Sequence, residues 1–281
     1  MPDATTSRLV LKVRQPFSRI KRAENAPSDA RKGVVRAFED DLVVEEPLEV
    51  RLDGAPLAVV MRTPGHDADL ALGFAITEGI VTRPESIVEV TDLGEGRWNL
   101  VTGDGVDIDP AQFQRNFYST SSCGVCGKAS IDAIRVTGAM PPPGPVVDVD
   151  TILGLPTSLI EHQEAFHSTG GLHAAAAFDT SGVIVAVRED VGRHNAVDKV
   201  VGHLARQTWP LPSLGLMVSG RVSFEITQKA AVAGISLVCG VSAASSLAVD
   251  LAEEFGMTVV GFLRDGGFTV YTGEERISGL N

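Results

Sequence analysis

The stretch that decides the fold is LGLMVSGRVSFEITQKAAVAGISLVCGVSAASSLAVDLAEEFGMTVVGFL, residues 214–263. Its apolar runs and helical stretches alternate at 214–218, 223–233, 236–238, 243–255 and 258–263. Short strands that alternate with helices predict βαβ units, in which each helix leads back to a parallel strand. The stretch therefore predicts an α/β fold, with helices covering both faces of a sheet.

The same alternation begins earlier in the chain. The elements predicted there are a helix at 156–166, strands at 172–178 and 183–188, and a helix at 194–206. Pro156 would lie in the first turn of its helix, where the missing N–H would have no intrahelical partner. Residues 150–281 together predict a three-layer α/β/α domain.

Residues 34–136 predict a smaller α+β domain ahead of this sheet. Its clearest signal is Asp53-Gly54, which favours a tight hairpin turn between apolar runs at 48–52 and 57–62. The other predicted elements are strands at 34–38, 42–44, 87–90, 98–101 and 106–108 and helices at 67–78 and 130–136. A long loop at 119–128 ends the domain.

Two further segments complete the predicted organisation. Residues 137–149 contain the sequence PPPGP, and consecutive prolines fix φ and cannot continue a helix. This stretch predicts a stiff linker between the two domains. Residues 1–33 carry eight Lys and Arg against three Asp and Glu, and predict a basic, flexible N-terminal arm.

Charge and composition exclude several classes of function. The formal net charge of −12 argues against general nucleic-acid binding, which needs broad neutralisation of phosphates. No apolar run approaches the roughly 20 residues of a membrane helix, and the N-terminus lacks the apolar core of a secretory signal. Three cysteines fit reduced thiols better than a disulfide framework. We therefore expect a cytoplasmic protein without nucleic-acid or membrane partners.

Two of the three cysteines lie close together in SSCGVCGK, residues 121–128. Cys123 and Cys126 could bind a metal, form a disulfide or carry sulfur as a persulfide. A structural zinc site needs four ligands, and the third cysteine, Cys239, lies in an apolar run that predicts burial. A thioredoxin-type motif would follow a strand directly, and this one does not. The pattern favours sulfur chemistry and leaves metal binding open.

The predicted strands of the larger domain end in polar or glycine-rich loops. These loops lie at 188–190, 219–221, 240–242 and 264–267. Because ligands of open α/β sheets bind beyond the carboxyl ends of strands, the loops predict a pocket for an anionic, nucleotide-like ligand. The candidate contacts are Gly170, Gly171, Arg193, His194, Ser219 and Arg221. The alternative is that the glycines only form turns and that Arg193 makes a surface ion pair.

Several segments match one known family, in order along the chain. They are RTPGHD at 62–67, GF at 73–74, EG at 78–79, SCGVCGK at 122–128, FHSTGG at 166–171, EDVGRHNAVDK at 189–199, SGR at 219–221 and GFLR at 261–264. On these segments the chain resembles the FdhD family, the sulfurtransferase accessory proteins required by formate dehydrogenases. The likeness runs from about residue 34 to the C-terminus.

That resemblance implies a definite activity. The family accepts sulfur from a cysteine desulfurase as a cysteine persulfide. It passes the sulfur to the molybdenum or tungsten bis-molybdopterin guanine dinucleotide cofactor of formate dehydrogenase. Cys123 would be the persulfide intermediate and Cys126 a helper thiol. A cytidine-deaminase-like second domain, a tendency to form homodimers and no permanently bound metal are implied as well.

The resemblance also places the guanine dinucleotide contact at the last predicted strand. The residues are Phe262, Leu263, Arg264, Asp265, Gly266 and Gly267.

Two other functions stay open. A zinc-dependent nucleobase deaminase would need a His-x-Glu segment before a Pro-Cys-x-x-Cys segment, but His162-Gln163-Glu164 follows the cysteine pair. A non-catalytic molybdenum-cofactor chaperone would use the cysteines only for docking.

Overall fold

The computed structural model describes residues 5–14, 34–106, 108–109 and 143–280 of the 281-residue chain. The loop predicted at 119–128, the helix predicted at 130–136 and most of the proline-rich linker lie outside the described residues. The first two strands, β1 (Thr5–Arg14) and β2 (Val34–Val43), pair antiparallel as a separate two-stranded sheet. The N-terminal arm at residues 1–33 stays a prediction, and the structure describes only its residues 5–14, which form β1.

The smaller unit is a four-stranded sheet with one helix. Its elements are β3 (Glu46–Leu52), β4 (Ala55–Arg62), α1 (Asp67–Thr77), a 3-10 turn at Pro84–Ser86, β5 (Ile87–Gly94) and β6 (Arg97–Thr102). The strand order is β4-β3-β6-β5, with β3 and β6 parallel. The strand predicted at 106–108 is wrong at Val106, whose N–H closes a turn onto the Gly103 carbonyl at 3.2 Å.

The hairpin predicted from Asp53-Gly54 is confirmed. Both residues have positive φ, 48° and 79°, as the mirror-image hairpin turns require. Asp53 also accepts hydrogen bonds from the Thr102 backbone N–H at 2.8 Å and from its hydroxyl at 2.7 Å. The turn is thereby tied to the end of β6. The predicted helix is confirmed too, since α1 covers Asp67–Thr77 and Gly79 follows with φ 73°.

The larger unit alternates strands and helices as predicted. Its elements are β7 (Val147–Asp148), α2 (Val149–Glu161), α3 (Glu164–Thr169), β8 (His173–Phe178), β9 (Ile184–Asp190), α4 (Arg193–Ala205), β10 (Gly215–Val218), α5 (Phe224–Val232), β11 (Leu237–Gly240), α6 (Ser246–Glu254), β12 (Thr258–Arg264), β13 (Gly267–Thr272), a 3-10 turn at Glu274–Arg276 and β14 (Ile277–Ser278). The short strands β7 and β14 pair with each other.

The six-stranded sheet has the order β13-β12-β11-β10-β8-β9. The strands β10, β11 and β12 are parallel and are linked by α5 and α6, so the predicted βαβ units are confirmed. Hairpins add antiparallel strands at both sides of this parallel centre. Successive residues of β10 point to opposite faces of the sheet. Leu216 belongs to the hydrophobic cluster beneath α4, α5 and α6, and Met217 belongs to the cluster beneath α2. The predicted α/β class with helices on both faces is confirmed.

The two units share one hydrophobic cluster. It contains Leu48 of β3, Leu70 of α1, Val200 of α4 and Leu216 of β10, all with no exposed surface. The helices α1 and α4 cross closely at Gly73, where a Cβ atom would lie 1.8 Å from the Asp198 carbonyl oxygen. Glycine is required at this crossing. The domain boundaries stay a prediction, but the two units share a continuous hydrophobic core.

Two helix predictions need correction. The helix predicted to start at Pro156 begins seven positions earlier, at Val149, and Pro156 lies in its interior. Proline lacks the N–H that would bond the Ile152 carbonyl, so the helix tolerates one missing bond at the half-buried Pro156. Leu155 and Leu159 on either side of it pack in the core. The helix predicted at 243–255 is shorter, because Ser245 caps it by accepting the Ala248 N–H at 3.3 Å.

Candidate functional site

The ends of four strands meet at one edge of the larger sheet. The strands β9, β10, β11 and β12 all run in the same direction, and their last residues are Asp190, Val218, Gly240 and Arg264. The antiparallel strand β8 begins at this edge, where His173 pairs with Asp190. The structure thus brings the four polar or glycine-rich loops of the sequence analysis together on one rim.

A cleft of about 580 Å³ opens at this rim. Its lining residues are Pro156, Leu159, Ile160, Gln163, Phe166, Gly170, Gly171, Leu172, His173, Ser219, Val241, Arg264 and Asp265. The helices α2 and α3 form one wall, and the loops after β10, β11 and β12 form the other. An apolar cleft with a few polar groups is the usual form of a small-molecule site.

One wall of the cleft ends in the hairpin between β12 and β13. Asp265 and Gly266 have φ 55° and 74°, so they form a tight mirror-image turn. Arg264 is exposed and its guanidinium lies 5.8 Å from the ring centroid of Phe262. A guanidinium stacked on an aromatic ring keeps its charge available to an anion. Of the residues predicted here, Arg264 and Asp265 line the cleft.

Leu263 differs from the other residues of the predicted contact set in its burial. Its side chain is 1% exposed and belongs to the hydrophobic cluster beneath α2, so it is a core residue. Gly266 and Gly267 form the turn and the first residue of β13, and neither lines the cleft. Phe262, in contrast, is 40% exposed and has the unusual φ of 51°. Such backbone outliers cluster at functional sites.

His173 lies in the cleft, although the sequence analysis did not select it. Burial lowers its pKa, and the positive charges of Arg193 and His194 lower it further. Arg221 acts in the same direction, while Asp190 opposes it. The imidazole is therefore neutral at pH 7 and lies in a positive environment that suits an anionic ligand.

Three predicted contacts lie around His173 rather than inside the cleft. Arg193 is half-buried, and within the described residues its buried Nε has no hydrogen-bond partner. Arg221 is exposed. His194 lies in the first turn of α4, and its Nε2 is 2.8 Å from a carboxylate oxygen of Glu225 in the first turn of α5. Glu225 was also missed by the sequence analysis, because the pair is 31 positions apart in the chain.

The other wall includes the predicted glycines. Gly170 ends α3 with φ 66°, and its N–H donates to the Phe166 carbonyl at 2.7 Å. Gly171 packs against Val43 of β2 so closely that a Cβ atom would lie 2.8 Å from a valine methyl group. Ser219, on the opposite wall, accepts the Ala174 backbone N–H at 2.9 Å through its hydroxyl. These three residues line the cleft as the sequence analysis placed them.

Three polar residues of the 189–199 segment join the two units. Asp190 is fully buried, and its carboxylate accepts the Thr63 N–H at 3.1 Å and the Lys199 ammonium at 2.7 Å. Lys199 also donates to the Thr63 carbonyl at 2.9 Å. The Asn195 amide donates to Asp190 at 2.9 Å and to the Met61 carbonyl at 2.7 Å. Asp190 and Asn195 therefore make contacts between the two units.

The cysteines fall into two groups. Cys123 and Cys126 lie outside the described residues. Cys239 lies in β11 with no exposed surface, and burial raises its pKa to about 12, so the predicted burial is confirmed. Among the described residues, His, Cys, Asp and Glu form no group of three that could hold a metal ion. No helix in the described part of the chain has both the length and the apolar character to cross a membrane.

The fold and the cleft define a class: a mixed α/β protein with a partly basic, nucleotide-sized cleft at one edge of its larger sheet. Comparison with known proteins narrows this class. The sequence model of the FdhD/NarQ family matches residues 43–278, which is most of the chain. The chain belongs to the FdhD/NarQ family.

Relatives from distant organisms agree with this assignment. A protein of Streptomyces coelicolor named sulfur carrier protein FdhD is 49% identical over 261 residues, which cover 88% of this chain and 93% of that protein. Proteins of the same name from Mycobacterium tuberculosis and Sulfurisphaera tokodaii are 46% and 43% identical, over 85% and 86% of this chain and 92% and 93% of theirs. The predicted family resemblance is confirmed.

A solved structure shares the fold. It is the crystal structure of a proposed formate dehydrogenase accessory protein from Desulfotalea psychrophila. The TM-score is 0.75 at 20% identity, and the match covers 98% of this chain and 100% of the other. The arrangement of helices and sheets is therefore common to both proteins.

Proposed function

We propose that this chain is a sulfur carrier that serves formate dehydrogenase. Cys123 accepts sulfur from a cysteine desulfurase as a persulfide, and Cys126 is the helper thiol. The receiver of the sulfur is the bis-molybdopterin guanine dinucleotide cofactor, which is the substrate of the transfer. The observation that carries the proposal is membership of the FdhD/NarQ family, together with relatives named sulfur carrier proteins.

The sulfur steps follow from thiol chemistry. The Cys123 thiolate attacks the outer sulfur of the donor persulfide, and the desulfurase cysteine leaves as a thiolate. Cys126 then attacks the inner sulfur of the Cys123 persulfide and releases hydrosulfide at the cofactor. This step leaves a disulfide between the two cysteines, which a cellular thiol must reduce. Cys239 takes no part, because its buried thiol stays protonated at neutral pH.

The cleft is the proposed site for the guanine dinucleotide end of that substrate. Arg264 lines the cleft and would face a phosphate, while Arg193 and Arg221 lie beside the cleft around His173 and would add positive charge there. Arg193 also has a buried Nε without a partner within the described residues. The apolar wall of Phe166 would face a ring of the ligand. These residues suit a ligand that is both anionic and aromatic, and the volume of about 580 Å³ lies in the usual range for small molecules.

Sulfur loading tests the proposal. The purified chain is incubated with a cysteine desulfurase and cysteine, and intact mass is used to count bound sulfane sulfur. We expect loading of the wild type, of Cys126→Ala and of the control Cys239→Ala, and none of Cys123→Ala. Loaded wild type should then restore sulfur to formate dehydrogenase.

Other results would point elsewhere. Loading of Cys123→Ala without loading of Cys126→Ala would reverse the two thiol roles. No loading of any variant would favour a chaperone that holds the cofactor without carrying sulfur. Stoichiometric, tightly bound zinc would favour a nucleobase deaminase.

A further inference from the structure

We propose that Glu189 is a positioning residue that fixes the α3 wall of the cleft. The proposal rests on the proposed function, because it concerns how that cleft binds its ligand. Glu189 opens the 189–199 segment, and it lies on β9 beside Ala174 of β8. Its side chain reaches across the rim to a helix that is 23 to 24 positions earlier in the chain.

The carboxylate of Glu189 binds the first turn of α3 with both oxygens. Its Oε2 accepts the Ala165 backbone N–H at 3.0 Å, and its Oε1 accepts the Phe166 backbone N–H at 2.9 Å. The first N–H groups of a helix have no intrahelical partner, and the cap residue Gln163 provides no side-chain hydrogen bond. The carboxylate of Glu189 therefore caps the N-terminus of α3, although Glu189 is distant from that helix in the sequence.

This contact has an unusual influence because α3 is very short. The helix has six residues, and isolated helices of this length are unstable in water. Its place must come from tertiary contacts. Two hydrogen bonds from a carboxylate at the positive end of the helix are contacts of this kind.

Glu189 is itself held rigidly. It precedes Asp190, whose carboxylate is paired with Lys199 at 2.7 Å. The Lys199 ammonium also donates to the Glu189 carbonyl oxygen at 3.3 Å. Lys199 thus fixes the end of β9, and the Glu189 side chain on that strand end holds α3 in a fixed position.

The cleft depends on this helix. Phe166 lines the wall directly, and Gly170 and Gly171 continue it beyond the end of α3. His173 at the start of β8 lines the same cleft. If α3 moves, the wall and the glycine loop move with it, and the cleft loses the shape that holds a ligand.

The tether is tested by hydrogen exchange on the full chain. In Glu189→Ala, the amides of residues 164–171 should exchange faster, while the strands β10–β12 keep their protection. Glu189→Gln should restore part of the protection, because its amide oxygen still accepts one N–H. Glu164→Ala is the matched control, since Glu164 is an exposed carboxylate in the first turn of the same helix. Unchanged exchange in Glu189→Ala would overturn the proposal that Glu189 holds α3 in place.

Calorimetry with guanosine diphosphate then tests the consequence for the cleft. If α3 keeps its place for only a tenth of the time, apparent affinity falls about tenfold. We expect that loss for Glu189→Ala, a smaller loss for Glu189→Gln and none for Glu164→Ala. Equal affinity in wild type and Glu189→Ala overturns the positioning role. A wild type that binds no guanosine diphosphate refutes the ligand proposed for the cleft, while the exchange result still decides the tether.

Discussion

A single buried lysine joins three helices. Lys229 of α5 lies 2.9 Å from the Asp198 carboxylate on α4 and 2.8 Å from the Glu78 carboxylate at the end of α1. Thr77 completes the group through its hydroxyl, at 2.9 Å from the ammonium and 2.6 Å from Asp198. Burial alone lowers the pKa of Lys229, but Asp198 and Glu78 more than compensate, and the net shift is upward. The lysine is therefore charged at neutral pH.

Replacing this lysine should cost much stability. Lys229→Met leaves Asp198 buried without its cation, and breaking a buried pair in this way costs about 3–5 kcal/mol in the free energy of unfolding. The control is Arg97→Met, which removes an exposed pair with Glu95 and should cost roughly 1 kcal/mol or less. Urea unfolding measures both. A loss for Lys229→Met no greater than for the control would contradict a structural role.

Histidines beside Asp69 predict a dependence of stability on pH. His66 and His203 lie 3.9 and 3.4 Å from the Asp69 carboxylate, which also binds Arg188 and Arg206. Burial lowers the pKa of both histidines below the usual 6.5, and the charge of Arg188 adds to this, although Asp69 opposes it. The unfolded chain then binds protons more readily than the folded one.

Stability should therefore be complete above pH 6.5 and fall as the pH drops through the lowered pKa values. His203→Gln removes one of the two proton sites and should flatten this loss below pH 6.5. The free energy of unfolding from urea titrations at several pH values measures the slope. His162→Gln is the control, because this exposed histidine contacts the Ser158 carbonyl and forms no ion pair within the described part of the chain. An equal slope in wild type and His203→Gln would refute the prediction.

Sequence reasoning at the residue scale found the residues of the rim but not their long-range partners. Gly170, Ser219 and Arg264 were predicted from their types and their places at strand ends, and they line the cleft. His173 and Glu225 carry no local signal, because their roles arise from pairing across the sheet and between helices. Such contacts exist only once the tertiary structure brings the elements together.

Helical glycines give opposite predictions at two positions. Gly73→Ala on α1 would place a methyl group within 1.8 Å of the Asp198 carbonyl oxygen, so the helices must separate. Overpacking of this kind costs roughly 3 kcal/mol. Gly154→Ala on α2 meets nothing within 4 Å and should stabilise by about 0.5–1 kcal/mol, because alanine restricts the unfolded chain. Thermal unfolding of both variants tests the pair, and destabilisation by Gly154→Ala with no effect of Gly73→Ala would invert it.

At the scale of elements, the sequence predicted the central strands and helices well and the edges poorly. Local turn chemistry identified the Asp53-Gly54 hairpin. The same signal at Asp265-Gly266 was read only as a binding loop, so β13 was missed. Pro156 was placed at a helix start, because the local rule does not include the packing that holds a helix on both sides of a proline.

The whole molecule should unfold in one step. The hydrophobic cluster runs from β3 through α1 and α4 to the larger sheet. The two units therefore share the core on the face of the larger sheet that α4 covers. The two tryptophans report on different parts, Trp98 on β6 and Trp209 on the segment after α4. Fluorescence of Trp98→Phe and Trp209→Phe should give coincident urea midpoints. Two separated midpoints would show that the predicted domains are independent.

The contact of Asp190, Lys199 and Thr63 has a consequence for how this protein can evolve. The three residues lie on separate segments, yet the buried carboxylate, the ammonium and the backbone of Thr63 satisfy one another. A lineage that lost the lysine would keep a buried, uncompensated anion, and one that lost the aspartate would keep a buried cation. We therefore expect a single replacement of either charge to destabilise the protein more than a joint replacement of both by neutral residues.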